Sequence, residues 1–278
     1  MRTRQRWKTQ AGVCLAVAFV AAGALGAVQP ATGIPAEVVQ LTQFGPALGV
    51  GAAALLWPSR TRSLLADPSG RTASPPGRTT SPPGRTASPP GRAGPLPWLL
   101  LAVPVLVILL SAVPYALLTH TAHVTDPRTL GHPFLLIALA QLVGACGEET
   151  GWRCFLQPLL RTRFGPLAAS AAVGLAWGLW HVQVLAQSPA YAAGFLLATV
   201  AISVTLGLAL ERLGGLRRLL LAGGFHALVN LGMLLFMDEE TGRATPMVLF
   251  GLACALTAAP WIRRFPRRPA VTIPATTG

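Results

Sequence analysis

Gly147-Glu148-Glu149-Thr150-Gly151-Trp152-Arg153 lies inside Pro133 to Leu160, a segment that otherwise begins Phe134-Leu135-Leu136-Ile137-Ala138-Leu139-Ala140. A run of that length and character is long enough to cross a bilayer, whose hydrocarbon core asks for about 20 apolar residues. An ionisable side chain at such a depth costs about 3 kcal/mol or more unless it is paired or faces a wet cavity, so two carboxylates and a guanidinium there mark a functional site. On a helix, Glu149 and Arg153 stand at i,i+4 with the acid first, the favourable order for an ion pair. Glu148, about 100° round the helix, is then left as the unpartnered carboxylate.

The rest of the composition agrees with a membrane setting. Of 278 residues 52% are hydrophobic and only 11% are charged, whereas a soluble domain carries about 25% charged residues. The net charge of +13 raises the question of nucleic acid. No basic cluster has interleaved aromatics, however, and the arginines fall between apolar runs, as topology determinants do, so no nucleic-acid partner is expected. Cys14, Cys146, Cys154 and Cys254 lie in or beside apolar segments without CxxC spacing and read as small buried residues.

Eight apolar segments follow from the chain: Ala11 to Val28, Val38 to Trp57, Trp98 to Leu118, Pro133 to Leu160, Gly165 to Gln187, Ala190 to Leu210, Leu219 to Met237 and Pro246 to Ile262. The expected fold is all-α, a polytopic bundle of about eight transmembrane helices with both termini cytoplasmic. The first segment follows Arg2, Arg4, Arg6 and Lys8. It exceeds the roughly 7–15 residues of a signal-peptide core, which favours a retained helix over a cleaved one. Gly45, Gly49 and Gly51 in the second would let a neighbouring helix approach closely.

Between the second and third segments the character changes. Gly-Arg-Thr-Ala-Ser-Pro-Pro at Gly70 to Pro76 recurs with one substitution at Gly77 to Pro83 and again at Gly84 to Pro90. Its Pro-Pro steps forbid a helix and it has no apolar seam, so residues 59–97 read as an extended basic linker. The chain thus divides into an N-terminal helix pair (1–58), the linker (59–97) and a six-helix membrane region (98–278). With the N-terminus in the cytoplasm, Arg60 to Arg92, Arg161, Arg163, Arg212, Arg217, Arg218 and Arg263 to Arg268 share the cytoplasmic side. Only Arg128 and Arg243 fall outside, beside Glu37, Asp126 and Asp238 to Glu240, which matches the positive-inside bias.

Few strongly polar side chains remain within the spans, and they come in pairs at helical spacing. Trp177 and His181 share one face of the fifth segment, and His226 and Asn230 share one face of the seventh. Each pair alone reads as interhelical glue, worth about 0.6 kcal/mol. Burying all of them with Glu148 for structure alone would be costly. Glu148 with His181 suits holding and deprotonating a water molecule, and His226 with Asn230 offers N–H donors for an oxyanion. Counted from the nearest cytoplasmic arginine, Glu148, His181 and His226 lie at depths of about 20, 27 and 12 Å, so irregular or tilted helices are needed to bring them together.

Glu-Glu-x-x-x-Arg at Glu148 to Arg153, aromatic-x-x-x-His at Trp177 to His181 and His-x-x-x-Asn at His226 to Asn230 resemble the three motifs of the CPBP family, the CAAX prenyl proteases and bacteriocin-processing or immunity (Abi) proteins. The resemblance covers about residues 133–237, with Trp177 where the family more often has Phe. It implies an intramembrane endopeptidase of the glutamic type, acting on a peptide or protein substrate in the lipid bilayer; the Ala-, Arg- and Pro-rich composition suggests a bacterium, so a multi-pass protein of a bacterial plasma membrane is expected. Glu148 would be the general base, His181 would position the water, and His226 with Asn230 would form the oxyanion hole. Glu149 and Arg153 would support them, and Trp177 would supply an aromatic wall. No cofactor is implied by that mechanism; the alternative is zinc on Glu148, His181 and His226. A proton-coupled transporter relay and a non-catalytic membrane scaffold or immunity protein are the other readings.

Overall fold

The structure is a computed structural model that describes residues 2–66, 97–237 and 242–264. Every element among them is helical. In chain order these are α1 (Arg2–Thr32), α2 (Gly45–Leu56), α3 (Pro58–Leu65), α4 (Ala102–Thr119), α5 (Phe134–Glu149), α6 (Gln157–Arg161), α7 (Pro166–Trp180), α8 (Pro189–Ala209), α9 (Gly215–Phe236) and α10 (Ala244–Arg264). A π-helical stretch, Thr150–Leu156, joins α5 to α6. Short 3-10 turns precede α2 and α4 and follow α7. The repeat falls at residues 70–90, outside the described residues, but the first part of the stretch read as linker, Ser59 to Leu65, belongs to α3.

Six helical stretches are long and apolar enough to cross a membrane: Arg6–Thr32, Trp98–Thr119, Phe134–Arg161, Pro189–Ala209, Gly215–Phe236 and Ala244–Arg264. The second and fifth of the eight expected spans are shorter, Leu41–Leu56 and Pro166–Trp180. For the second span the cause is local. Pro58 drives Trp57 out of the helical region, to φ −139 and ψ 63, and so stops α2. His181, at φ −80 and ψ 67, ends α7 six residues before the expected limit at Gln187. The outward faces carry exposed leucines and valines, among them Leu55, Leu117, Leu135, Val143 and Leu256, the inverse of a soluble surface and suited to lipid tails.

Glycine sets the helix spacing at several crossings. A side chain at Gly45 would collide with the Ala18 carbonyl and one at Gly49 with the Cys14 carbonyl, so α2 lies backbone to backbone on α1. Gly51, by contrast, faces open space. Gly174 and Gly178 of α7 admit Thr199, Val200 and Ser203 of α8 in the same way, and Gly223 of α9 rests on Cys146 of α5. Cys14, Cys154 and Cys254 are buried and Cys146 is partly so; all four are free thiols.

The bundle has two distinct ends. At one, Trp7 meets Phe164 edge to face with centroids 5.5 Å apart, Arg161 Nε donates to Glu211 at 2.8 Å, and Arg218 donates to the Leu213 carbonyl. At the other, the Gln29 side chain closes the α1–α2 hairpin through the Val39 carbonyl (2.8 Å) and the Leu41 amide (2.9 Å). There Glu37 accepts the Gly131 amide at 3.0 Å, and the Thr125 amide donates to the Leu235 carbonyl at 2.9 Å. Asp126 caps the 3-10 turn Pro127–Thr129 at this end, and Arg128 beside it holds its carboxyl below the usual range.

The glycine contacts generate a first prediction. Gly49→Leu should lower stability by about 1–3 kcal/mol through overpacking, whereas Gly51→Leu, on the open face of the same helix, should stay within about 0.5 kcal/mol of the parent. Denaturant unfolding in detergent micelles measures both.

Candidate active site

The segments that bear the polar pairs converge on one cavity of about 990 Å³. Glu148, Trp177, His181, His226 and Asn230 all line it. The apparent mismatch in depth is resolved by irregular backbone. α5 widens into the π-helical stretch directly after Glu149, and α7 stops at Trp180, so that His181 sits at a helix end rather than within a span. A π turn shifts the hydrogen-bond register by one residue and is frequent at functional sites.

Glu148 is buried, at 2% exposure, and it is not without a partner: Trp177 Nε1 donates to its Oε2 at 2.8 Å. The tryptophan expected as an aromatic wall therefore also holds the carboxylate. Its ring does a second thing, carrying the Arg153 guanidinium carbon 4.7 Å above the ring centroid. A cation over a desolvated indole gains roughly 1–2 kcal/mol. Arg153 also meets Glu149 with Nε 3.2 Å from Oε2, a charge contact whose angle falls short of an aligned hydrogen bond. Both residues are essentially unexposed.

Glu149 uses its other oxygen for His226, whose Nδ1 lies 3.0 Å from Oε1. A carboxylate oxygen accepts, so Nδ1 carries the proton. His181 is fixed by an analogous logic. Because the helix ends there, the Trp177 carbonyl loses its regular partner; the His181 amide bonds Gly178 instead, and the ring Nδ1 takes the Trp177 carbonyl at 2.9 Å. A carbonyl can only accept, so Nδ1–H donates and the neutral ring keeps its lone pair on Nε2. Aromatic rings hold the two imidazoles edge to face: Trp180 and Phe195 around His181, at 4.9 and 5.0 Å, and Trp177 beside His226 at 5.0 Å.

Asn230 is engaged by a residue that the motifs leave out. Its Nδ2 donates to Gln141 Oε1 at 3.1 Å, which leaves one amide hydrogen for a ligand. Gln141 lies two helical turns before Glu148 on the same face of α5, and it also lines the cavity. It was detectable in principle as the one strongly polar side chain between Phe134 and Gly147. The α1–α2 hairpin, outside the motif region, supplies a further part of the wall through Phe19, Gly26, Gln40 and Gln43.

Zinc on Glu148, His181 and His226, the alternative raised by the sequence, would have to use Nε2 of both imidazoles, since their Nδ1 atoms are taken. Among the described residues no three His, Cys, Asp or Glu side chains stand as a ready-made ligand group.

A membrane bundle with a carboxylate, two imidazoles and a carboxamide around one internal cavity is the class that fold and site define. Comparison with known proteins narrows it. Residues 130–232 match the family described as Type II CAAX prenyl endopeptidase Rce1-like. The chain is 25% identical over 174 residues to "CAAX prenyl protease 2" of Methanococcus maripaludis, covering 58% of this chain and 64% of that protein. It is 24% identical over 164 residues to "Lysostaphin resistance protein A" of Staphylococcus epidermidis, covering 59% of this chain and 42% of the relative. The Staphylococcus aureus (strain MRSA252) protein of the same name is 23% identical over the same length. The matched segment is thus less than two thirds of each relative. The matched region is the one that carries the three motifs, and it lies in a chain with six helices long and apolar enough to cross a membrane.

The ion cluster sets a second prediction. Arg153→Met should cost about 3–5 kcal/mol, because it leaves the buried Glu149 with one partner fewer. Adding Glu149→Gln should recover part of that loss, as thermal unfolding of the single and double variants would show.

Proposed function

We propose that this protein is an intramembrane endopeptidase of the glutamic type. The observation that carries the proposal is the placement of Glu148: buried, held on one oxygen by Trp177 Nε1, and facing a cavity that it shares with two imidazoles and a carboxamide. The family match and the relative named as a CAAX prenyl protease support the same reading. A prenylated protein C-terminus is one candidate substrate. The relatives named for lysostaphin resistance are bacterial, which supports a bacterial plasma membrane as the setting, where an unprenylated peptide is the other candidate.

The chemistry divides between the two halves of the site. Glu148 takes a proton from water, and His181, with its Nε2 lone pair, accepts a hydrogen bond from the same water and orients it. The hydroxide attacks the scissile carbonyl carbon and the carbonyl π electrons move to oxygen. Asn230, its amide oriented by Gln141, donates to that oxyanion through its remaining N–H. His226 donates through Nε2 when it is doubly protonated; Nδ1–H remains on Glu149, whose carboxylate balances the imidazolium charge. Glu148 then returns its proton to the leaving nitrogen, the C–N bond breaks, and an amine and a carboxylic acid result. No step requires a metal.

Cleavage of prenylated and plain peptides by the protein in liposomes tests this reading. Glu148→Ala should lower the rate by about 10²–10⁴ in protein that remains folded, and a chelator should leave the parent rate intact. Loss of activity to the chelator would replace the metal-free mechanism, and full activity in Glu148→Ala would end the proposal. Trp177→Phe, which keeps the ring and removes the N–H, should slow cleavage by roughly 10–100-fold, the effect of losing one charge-assisted hydrogen bond of about 1.5–3 kcal/mol.

A further inference from the structure

The cavity that holds Glu148 extends toward only one end of the bundle, and the charges of the chain say which side of the membrane that end faces. Beyond the catalytic groups its wall is made by Glu37 and Gln40 of the α1–α2 connection, His123 and Thr125 after α4, Gln187 after α7, and Met237 after α9. These connections are tied to one another. Glu37 accepts the Gly131 amide, Thr125 donates to Leu235, and Gly242 packs against Gln187. Among the described residues none of the wall comes from the opposite end, where α1 starts, α3 lies and Arg161 of α6 pairs with Glu211 after α8.

The two ends differ sharply in charge. The closed end carries Arg60, Arg62, Arg161, Arg163, Arg212 and Arg217, with Glu211 as its acid, and the arginine repeat follows α3 directly in sequence. The cavity end carries Glu37, Asp126, Arg128 and Arg243 among the described residues. Lysine and arginine are retained on the cytoplasmic side of membrane proteins, which places the closed end in the cytoplasm.

We infer that the active-site cavity opens on the exoplasmic face, and that the substrate is a peptide segment reaching the membrane from outside the cytoplasm, neutral or cationic in charge. The amides of Gln40, Gln183 and Gln187 give the rim the donors and acceptors that hydrate the channel and pair with an extended peptide backbone. Among the described residues the lining bears the carboxylates of Glu37 and Glu148 and no lysine or arginine, and the His226 ring leans on Glu149, so an acidic peptide meets repulsion along the rim with no cation there to pair it. Cleavage of this substrate rests on the endopeptidase reading above; the orientation of the cavity does not.

The test separates the two. In a Cys146→Ala background, single cysteines at Ala36 or Gln183 on the cavity rim and at Thr162 on the closed end are exposed to a membrane-impermeant maleimide. In right-side-out vesicles the rim cysteines should label and the one at Thr162 should be protected until detergent is added; the reverse pattern overturns the inference. A membrane-impermeant fluorogenic peptide, in lysine-bearing and glutamate-bearing forms, is then offered to right-side-out and inside-out vesicles, with Glu148→Ala as the blank. Cleavage by right-side-out vesicles with preference for the lysine form is expected. Cleavage confined to inside-out vesicles, or preference for the glutamate form, overturns the assigned substrate class. Rim labelling as expected without cleavage in either orientation upholds the cavity's direction and removes the endopeptidase reading instead.

Discussion

The Glu149 carboxylate, buried between Arg153 and His226, is the constraint from which the site is built. A charge at that depth is tolerable only with partners, and its partners come from the widened backbone after α5 and from α9. Arg153 then has to lie where its guanidinium is compensated, and it does so over the ring of Trp177, whose indole N–H in turn fixes Glu148. One carboxylate thus orders a chain of contacts through α9, α5 and α7. Glu148 ends that chain with one oxygen held, buried at the edge of the cavity.

Two structural devices make this convergence possible. Gly223 against Cys146 brings α9 close enough to α5 for the His226 ring to reach Glu149. Where α7 ends, an orphaned carbonyl is satisfied by the His181 ring, which orients the imidazole without any other polar partner being brought in. Departures from a regular helix here are what let groups at different nominal depths meet. Irregular backbone is tolerated inside a membrane protein because it lines a cavity and not the lipid.

The α1–α2 hairpin gains a role that its position in the sequence does not suggest. Packed through Gly45 and Gly49, and tied to the start of α5 through Glu37, it closes one side of the cavity that holds Glu148. The same loops set the direction in which that cavity opens. Access to the site and its chemistry therefore depend on different parts of the chain.

The sequence by itself determined the helical membrane class, the placement of the apolar segments to within a few residues, and the polar pairs, because hydropathy over a bilayer width and a 3.6-residue period are local properties. The i,i+4 pairing of Glu149 with Arg153 was readable for the same reason. Only the tertiary structure decided that Glu148 is held by Trp177, that His226 leans on Glu149, that Gln141 orients Asn230, and that α7 stops at Trp180. It also decided that the cavity opens away from the basic end. Those are contacts between residues far apart in the chain, or helix ends set by one backbone angle, and neither composition nor periodicity encodes which side chain from another helix arrives at a given depth.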